Sequence, residues 1–302
     1  MALKLTIIGS GSAVPTLYRG VTSQYLNFNE RRFLIDCGEG TQLQLRKYRV
    51  KFQRLQAIFI SHLHGDHYLG LVGLLSSMSL LGRIKELTVY GPAELEEMLR
   101  FQFKVAAVHF NYELKFVHLK KNTSEVLFED NLIEIKSFPV KHRIDCWGFR
   151  FDEKPKEKNV NASKIKELQL SLEEILKLKK GEDVVRESEY HRNEDLTLKD
   201  AKLVSYAYSA DTTYFEKMAE YVKGVDLLYH EATFIEKHAD RAKATKHSTA
   251  IQAATIAKDA EVGQLLLGHF SARYKDTSEI ESEAKSIFSN TICVSDGDEF
   301  NL

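Results

Sequence analysis

A short apolar run, AIFI at 57–60, is followed at once by SHLHGDH, so four potential metal donors, His62, His64, Asp66 and His67, fall within six residues. Few patterns constrain a chain so tightly, because a strand end carrying these side chains must sit where other strand ends can complete the coordination. Residues two apart on extended backbone point to the same face, so His62 and His64 can share one cation. The LGLVGLL run at 69–75 reads as the start of a helix, and the turn in the backbone can aim Asp66 and His67 at a second point. Imidazole and carboxylate together form a borderline-soft donor set suited to Zn²⁺. Cys37, Cys146 and Cys293 are an odd number with no CxxC spacing. That argues for reduced thiols in a cytoplasm and against a disulfide framework or a thiolate zinc site.

Further donors share one context. His142 follows LIEIKSFPVK, Asp211 follows LVSYAYSA, His230 follows VDLLY and His269 follows QLLLG, each at the end of a strand-like run. Loops at one edge of a layered fold can bring such residues to a common point. A single histidine so placed is more often structural, but four repetitions beside HLHGDH point to a site. SQYLNF and RRFLID read as paired strands about Asn29 and Glu30, LTVYG precedes a helix from about Pro92 to Phe103, and YFEKMAEYVK and STAIQAATIAKDA read as helices. Strands in both hairpin and crossover spacing, with amphipathic helices between them, predict an α/β fold of two stacked mixed sheets with helices outside. Gly9 and Gly11 in GSGSAVP could open a dinucleotide fingerprint, but Val14 takes the third glycine position and Pro15 opposes a helix there. A tight turn close to a site fits better.

The 302 residues carry a formal charge of −1, which argues against a surface that coats nucleic acid and confines any such contact to local patches. RKYRVKFQR at 46–54 holds five basic residues around Tyr48 and Phe52; it could pair phosphates and stack bases, or be a solvated helix face with two core aromatics. From about 152 to 196 the chain is polar and lysine-rich, with nine Lys or Arg against six Asp or Glu between Lys154 and Arg186. This reads as an inserted, mostly helical arm, against the alternative of a plain solvated excursion. No apolar run reaches the roughly 20 residues of a membrane span, and MALKLTIIGSG carries no charged leader. A soluble, cytoplasmic protein with no membrane partner is expected.

HLHGDH matches HxHxDH, and beside it stand GSGSAVPT at 9–16, IDCGEGTQ at 35–42, PVKHR at 139–143, YSADT at 208–212, HEAT at 230–233, KHST at 246–249 and GHFSARY at 268–274. HxHxDH is the signature of the metallo-β-lactamase fold superfamily, and the ordered series, spanning nearly the whole chain, resembles ribonuclease Z, the tRNA 3′ endonuclease. The resemblance implies a metallo-β-lactamase-type αββα sandwich, one catalytic domain over 1–302 with the arm at 152–196 as a tRNA-binding insertion. By position it assigns His62, His64 and His142 to one zinc, Asp66, His67 and His269 to the other, and Asp211 as the bridge, giving two Zn²⁺ per subunit. Two such ions about 3.5–4 Å apart acidify a shared water and stabilise phosphoryl charge, with Asp66 as the proton acceptor. His247 becomes the general acid for the ribose 3′-oxygen, and Glu231 stands behind it. His230 takes a structural role or supports a ligand from behind rather than ligating, because seven ligands already fill both sites. His109, His118, His191 and His238 lie in no motif.

The implied activity is removal of the 3′ trailer from precursor tRNA, leaving a 3′-hydroxyl on the tRNA and a 5′-phosphate on the trailer. The length resembles the short form of the family, which works as a homodimer. One departure is visible: SLEE at 171–174 stands where the family's arm has a Gly-Pro pair, just before ILKLKKGEDV. The rivals are a small-substrate phosphodiesterase, arylsulfatase or lactamase on the same fold, and a metal-binding RNA-recognition protein without catalysis. Degenerate ligands would mark the last, and none is degenerate.

Overall fold

The computed structural model describes residues 3–186, 189–199 and 202–302. Its strands are β1 (Leu3–Gly9), β2 (Ser23–Phe28), β3 (Arg31–Ile35), β4 (Ala57–Phe59), β5 (Leu87–Gly91), β6 (Leu114–His118), β7 (Glu125–Glu129), β8 (Ile133–Pro139), β9 (Trp147–Glu153), β10 (Val184–Arg186), β11 (Glu189–His191), β12 (Ser205–Tyr208), β13 (Leu227–Glu231), β14 (Gln264–Gly268), β15 (Thr291–Cys293) and β16 (Glu299–Asn301). One seven-stranded sheet has the order β16-β1-β2-β3-β4-β5-β6, and a second has β15-β14-β13-β12-β9-β8-β7. Both are mixed: β3 to β6 run parallel after antiparallel β1–β2–β3, and β12 to β15 run parallel while β12 pairs antiparallel with β9.

Large aromatics on the inner faces hold the sheets together. Phe33 and Phe59 of the first sheet meet Phe128, Phe149 and Phe151 of the second with ring centroids 5.3–5.9 Å apart, and the Tyr206 hydroxyl donates across to Gln24. Such ring pairs add about 0.5–1.5 kcal/mol each beyond the area they bury. The outer face of the first sheet, Leu34, Ile58 and Val89, packs on Leu45, Leu71, Leu75 and Leu99 from the helices Thr41–Lys47, Leu71–Leu80 and Ala93–Val105. The second packs Ala207, Leu228 and Leu265 on Ala250–Asp259 and Ser278–Lys285. In Ala250–Asp259 the residues Ala250, Ala253, Ala254 and Ala257 form the buried stripe, at helical spacing. The αββα sandwich expected from the sequence is the fold observed.

Two local expectations change. YFEKMAEYVK is helical only over Met218–Tyr221; Phe215 and Met218 drop into the core, and the chain leaves at Gly224, whose positive φ lets its N–H donate to Ala260 O. In RKYRVKFQR the helix stops at Lys47, Phe52 is buried and Tyr48 packs against the same cluster, while the basic residues are exposed. The aromatics serve the core. Among the described residues no helix is long and apolar enough to cross a membrane.

A second compact unit comprises Asp130–Leu132 and Glu153–Leu203. It holds the helices Ala162–Glu167, Leu172–Lys179 and Asn193–Leu196, the antiparallel pair β10–β11, and its own cluster of Leu170, Leu178, Val184 and Leu196. SLEE has a structural meaning here. Ser171 caps Leu172–Lys179 and Glu174 returns the bond to the Ser171 N–H, a capping box, and Glu174 also pairs with Arg186 at 2.9 Å.

The CGEG turn lies directly on the HLHGDH turn. Cys37 N–H donates to His67 O at 2.7 Å and Gly70 N–H to Cys37 O at 2.9 Å. A Cβ on Gly38 would stand 2.2 Å from Asp66 O and 2.4 Å from Val21 Cγ2. Gly38→Ala is expected to cost about 3 kcal/mol, the upper part of the usual over-packing range. Gly73→Ala, inside Leu71–Leu80 with its nearest neighbour atom 3.6 Å away, should instead gain about 0.5–1 kcal/mol from helix propensity. Urea unfolding of both variants checks this; equal midpoints would contradict the close-packed turn.

Candidate active site

The HLHGDH motif leaves β4 in extended form and turns at His64 into the helical turn Gly65–Tyr68. His142 follows β8, Asp211 follows β12, Glu231 ends β13 and His269 follows β14 in a left-handed conformation. Strands β12, β13 and β14 run parallel, so their C-terminal ends deliver these groups to one edge. The structure brings together His62, His64, His142 and Asp211 as one group of donor atoms, and Asp66, His67 and His269 as another, each within 4.8 Å. Asp211 lies between the groups: its Oδ2 is 3.7 Å from His62 Nε2, 3.4 Å from His67 Nε2 and 3.9 Å from His142 Nε2, and its Oδ1 is 3.2 Å from His269 Nε2.

Hydrogen-bond bookkeeping orients the rings. His67 Nδ1 faces Asp36 Oδ2 at 2.8 Å, an acceptor only, so Nδ1 carries a proton and Nε2 is the position left for a second proton or a cation. His142 Nδ1 likewise donates to Lys246 O at 2.9 Å. The Ser61 hydroxyl gives its single proton to Asp36 Oδ2 at 2.8 Å, so His62 Nδ1, 3.0 Å from Ser61 Oγ, must be a donor too. The Nε2 lone pairs of His62 and His142 both lie 3.0 Å from His64 Nδ1. Within this cluster His67 Nε2 and Asp211 Oδ1 are buried and hydrogen-bonded to nothing.

The electrostatics agree with a cation site. Burial holds the imidazole of His62 well below the ordinary histidine range, in its neutral, ligating form. Burial acts on His67 in the same sense, but Asp211, Asp66 and Asp36 surround it, outweigh burial and raise it. Burial opposes the charged form of Asp66, and His67 and His269 overcome it, holding that carboxyl below its usual range. Buried nitrogen lone pairs converging beside Asp66 and Asp211 form a set of metal donors; a cation would satisfy both the orphaned atoms and the excess negative charge.

Beside the cluster, His247 Nδ1 lies 2.9 Å from Glu231 Oε1 and 3.9 Å from Asp211 Oδ2. Glu231 accepts only, so this nitrogen bears the proton and is unavailable as a ligand. Burial works against a charged His247, but the Glu231 carboxylate wins and the imidazole is pushed up to about 9. Glu231 itself is 1% exposed, and it also accepts from the N–H groups of Thr212, Thr233 and Ser248 and from the Thr233 hydroxyl. His230 faces elsewhere, its Nδ1 2.7 Å from Glu231 O, outside either donor group. His109 and His118 lie on the surface, His118 against Glu96, while His191 pairs with Glu189 and His238 with Tyr274.

Several supporting residues escaped the sequence reading. Asp36, fully buried, receives Ser61, His67 and Tyr208; it stands in IDCGEGTQ, where its motif was visible but its partners were not. The Ala13 N–H, in the GSGSAVP turn with positive φ, donates to Asp66 Oδ2 at 2.7 Å. Thr233 of HEAT touches Glu231 and His269 at once. The site opens into a cavity of about 460 Å³ whose lining includes Arg143, Arg241, Arg273 and Phe234, and the Arg273 guanidinium lies over the Phe234 ring at 5.2 Å.

Comparison with known proteins adds an independent line. A family model described as Anti-Pycsar protein Apyc1 matches residues 3–165, which include HLHGDH and His142 but stop short of Asp211, Glu231, His247 and His269. Ribonuclease Z of Parabacteroides distasonis is 43% identical over 97% of this chain and 97% of its own length. The crystal structure of human tRNase Z, short form, superposes with a TM-score of 0.72 at 26% identity, covering 99% of this chain and 98% of that one. The metallo-β-lactamase fold protein YhfI of Bacillus subtilis, 20% identical, matches with a TM-score of 0.69 over 99% of this chain and 98% of its own, which identifies the fold. The chain belongs to the ribonuclease Z family, and its residues 3–165 to the family that the Apyc1 model describes.

Proposed function

We propose that this chain is a two-zinc endoribonuclease that removes the 3′ trailer from precursor tRNA, leaving a 3′-hydroxyl on the tRNA and a 5′-phosphate on the trailer. The observation that carries the reading is the pair of buried Glu231 and half-buried His247 standing beside a seven-donor cluster centred on Asp211. A metal cluster alone serves many hydrolases; a proton-bearing imidazole next to it serves a reaction whose leaving group needs a proton. Relatives named ribonuclease Z, alike over nearly the whole chain, support the substrate.

In this reading His62, His64 and His142 would hold one ion, Asp66, His67 and His269 the other, with Asp211 shared between them. When bound, a zinc pair supplies Lewis acidity, making water nucleophilic near neutral pH and offsetting charge on the phosphoryl oxygens. Asp66, held by the Ala13 N–H at one oxygen, receives the proton of the attacking water. As the bond from phosphorus to the ribose 3′-oxygen breaks, His247 gives that oxygen its proton, and Glu231 stabilises the ring's positive charge beforehand and keeps its orientation afterwards. Arg143, Arg241 and Arg273 around the cavity offer guanidinium groups to the flanking phosphates. The lysine-rich unit of Glu153–Leu203 grips the tRNA body, which reconciles an RNA substrate with a net charge of −1. By the same resemblance the enzyme works in the cytoplasm as a homodimer.

A cavity of about 460 Å³ could also admit a small phosphodiester, the second reading. Hydrolysis of bis-(p-nitrophenyl) phosphate does not separate the two, because a tRNA-processing site would accept it as well. Replacing 155–200 by a short linker does: precursor tRNA cleavage should fall at least tenfold while small-ester hydrolysis persists, and equal indifference of both would remove the arm from the account. His247→Ala and Asp66→Ala should each lower kcat on precursor tRNA by about 10²–10⁴, the usual contribution of a positioned acid or base. A rate like that of the unsubstituted enzyme in either variant contradicts the corresponding role.

A further inference from the structure

The hydroxyl of Thr233 lies where four groups compete for one proton. Its Oγ1 is 2.8 Å from Glu231 Oε2, 3.0 Å from His269 O, 2.9 Å from His269 Nδ1 and 3.3 Å from His247 Nδ1. Glu231 and the carbonyl can only accept, so the hydroxyl's single proton is spent on them. His247 directs its own proton to Glu231 Oε1, at a shorter 2.9 Å. The remaining bond therefore runs the other way: His269 Nδ1–H donates to Thr233, which leaves the lone pair on Nε2. That nitrogen points into the cluster, 3.2 Å from Asp211 Oδ1 and in hydrogen-bond contact with Asp66 Oδ2 at 3.3 Å; carboxylates only accept, so its lone pair is free for a cation that takes the place of a proton there.

We infer that Thr233 is a positioning residue through which one buried carboxylate, Glu231, serves two functions: Oε1 orients the proton donor His247, and Oε2, relayed by the Thr233 hydroxyl, fixes the tautomer of the metal donor His269. The chain of carboxylate, hydroxyl and imidazole has the form of an outer-shell support that holds a ligand ring and raises its basicity. Three of the cluster's other imidazoles take their support from different groups, His62 and His67 through Ser61 and Asp36 and His142 through Lys246 O. Losing the hydroxyl therefore affects His269 selectively. The main-chain N–H of Thr233, which also donates to Glu231 Oε2, remains in any substitution.

This inference rests on the two-zinc reading, and its test separates the two. Zinc affinities of the intact protein, Thr233→Val and Thr233→Ser are measured by competition with a chromophoric chelator, alongside kcat and KM on a precursor tRNA. Valine keeps the volume and removes the hydroxyl; serine restores it. The expected result is two equivalents bound by the unsubstituted enzyme, one of them weakened about 10–100-fold in Thr233→Val, and both returned to within about twofold in Thr233→Ser, with kcat rather than KM following the pattern. If Thr233→Val does not fold, Thr233→Ala takes its place in the same comparison. Unchanged affinities for both equivalents in the hydroxyl-free variant, or equal loss in the serine variant, would overturn the relay. Failure of the unsubstituted protein to bind two zincs would instead overturn the reading beneath it.

Discussion

The carboxylate of Asp36, wholly removed from solvent, is the constraint on which the rest depends. A buried charge without partners is costly, and removing one member of a buried pair typically costs about 3–5 kcal/mol, so its surroundings must supply donors from every side. The Ser61 N–H and hydroxyl come from just beyond β4, the His67 ring from the turn after it, and the Tyr208 hydroxyl from β12 in the opposite sheet, at 2.6–2.8 Å. One residue at the end of β3 thus joins the two sheets and sets the rings of His62 and His67. Glu231 plays the matching part on the second sheet, where it gathers the loops carrying Thr212, Thr233 and His247.

The chemistry follows from where these carboxylates stand. Parallel strands end on one edge, so their loops converge there, and each buried carboxylate leaves the distal nitrogens of its histidines facing inward. The excess of negative charge over Asp66, Asp211 and Asp36 is what raises His67, and the same field favours cations. His247 Nδ1 is held away from the donor atoms by its hydrogen bond to Glu231. Two carboxylates therefore divide the hydrogen bonding, Asp36 holding Ser61, His67 and Tyr208, and Glu231 holding His247 and the Thr233 hydroxyl that also touches His269.

How much of this the sequence disclosed varied by level. The αββα layering was legible because apolar runs such as AIFI and QLLLG are short, buried on both faces and separated by amphipathic stretches. His142, Asp211 and His269, which the structure brings beside HLHGDH, drew notice because each follows such a run, as does His230, which stands outside the donor groups. The outer support was not: Asp36, Ser61 and Thr233 act through contacts between residues as far as 172 positions apart, and no local pattern reports a hydroxyl's single proton. YFEKMAEYVK misled because Phe215 and Met218 are claimed by the core before a helix can extend. SLEE was visible as a departure from the family's arm, yet it also spells S-x-x-E, a capping box, and that local grammar was the more informative reading.

The central claim is a single endonucleolytic cut with a defined polarity, and mapping both new ends on one defined precursor tRNA tests it most directly. The account predicts a tRNA fragment ending in a 3′-hydroxyl and an intact trailer beginning with a 5′-phosphate, because water attacks phosphorus and the 3′-oxygen leaves with the proton from His247. A 2′,3′-cyclic or 3′-phosphate on the tRNA, or a trailer shortened stepwise from its free end, would contradict it.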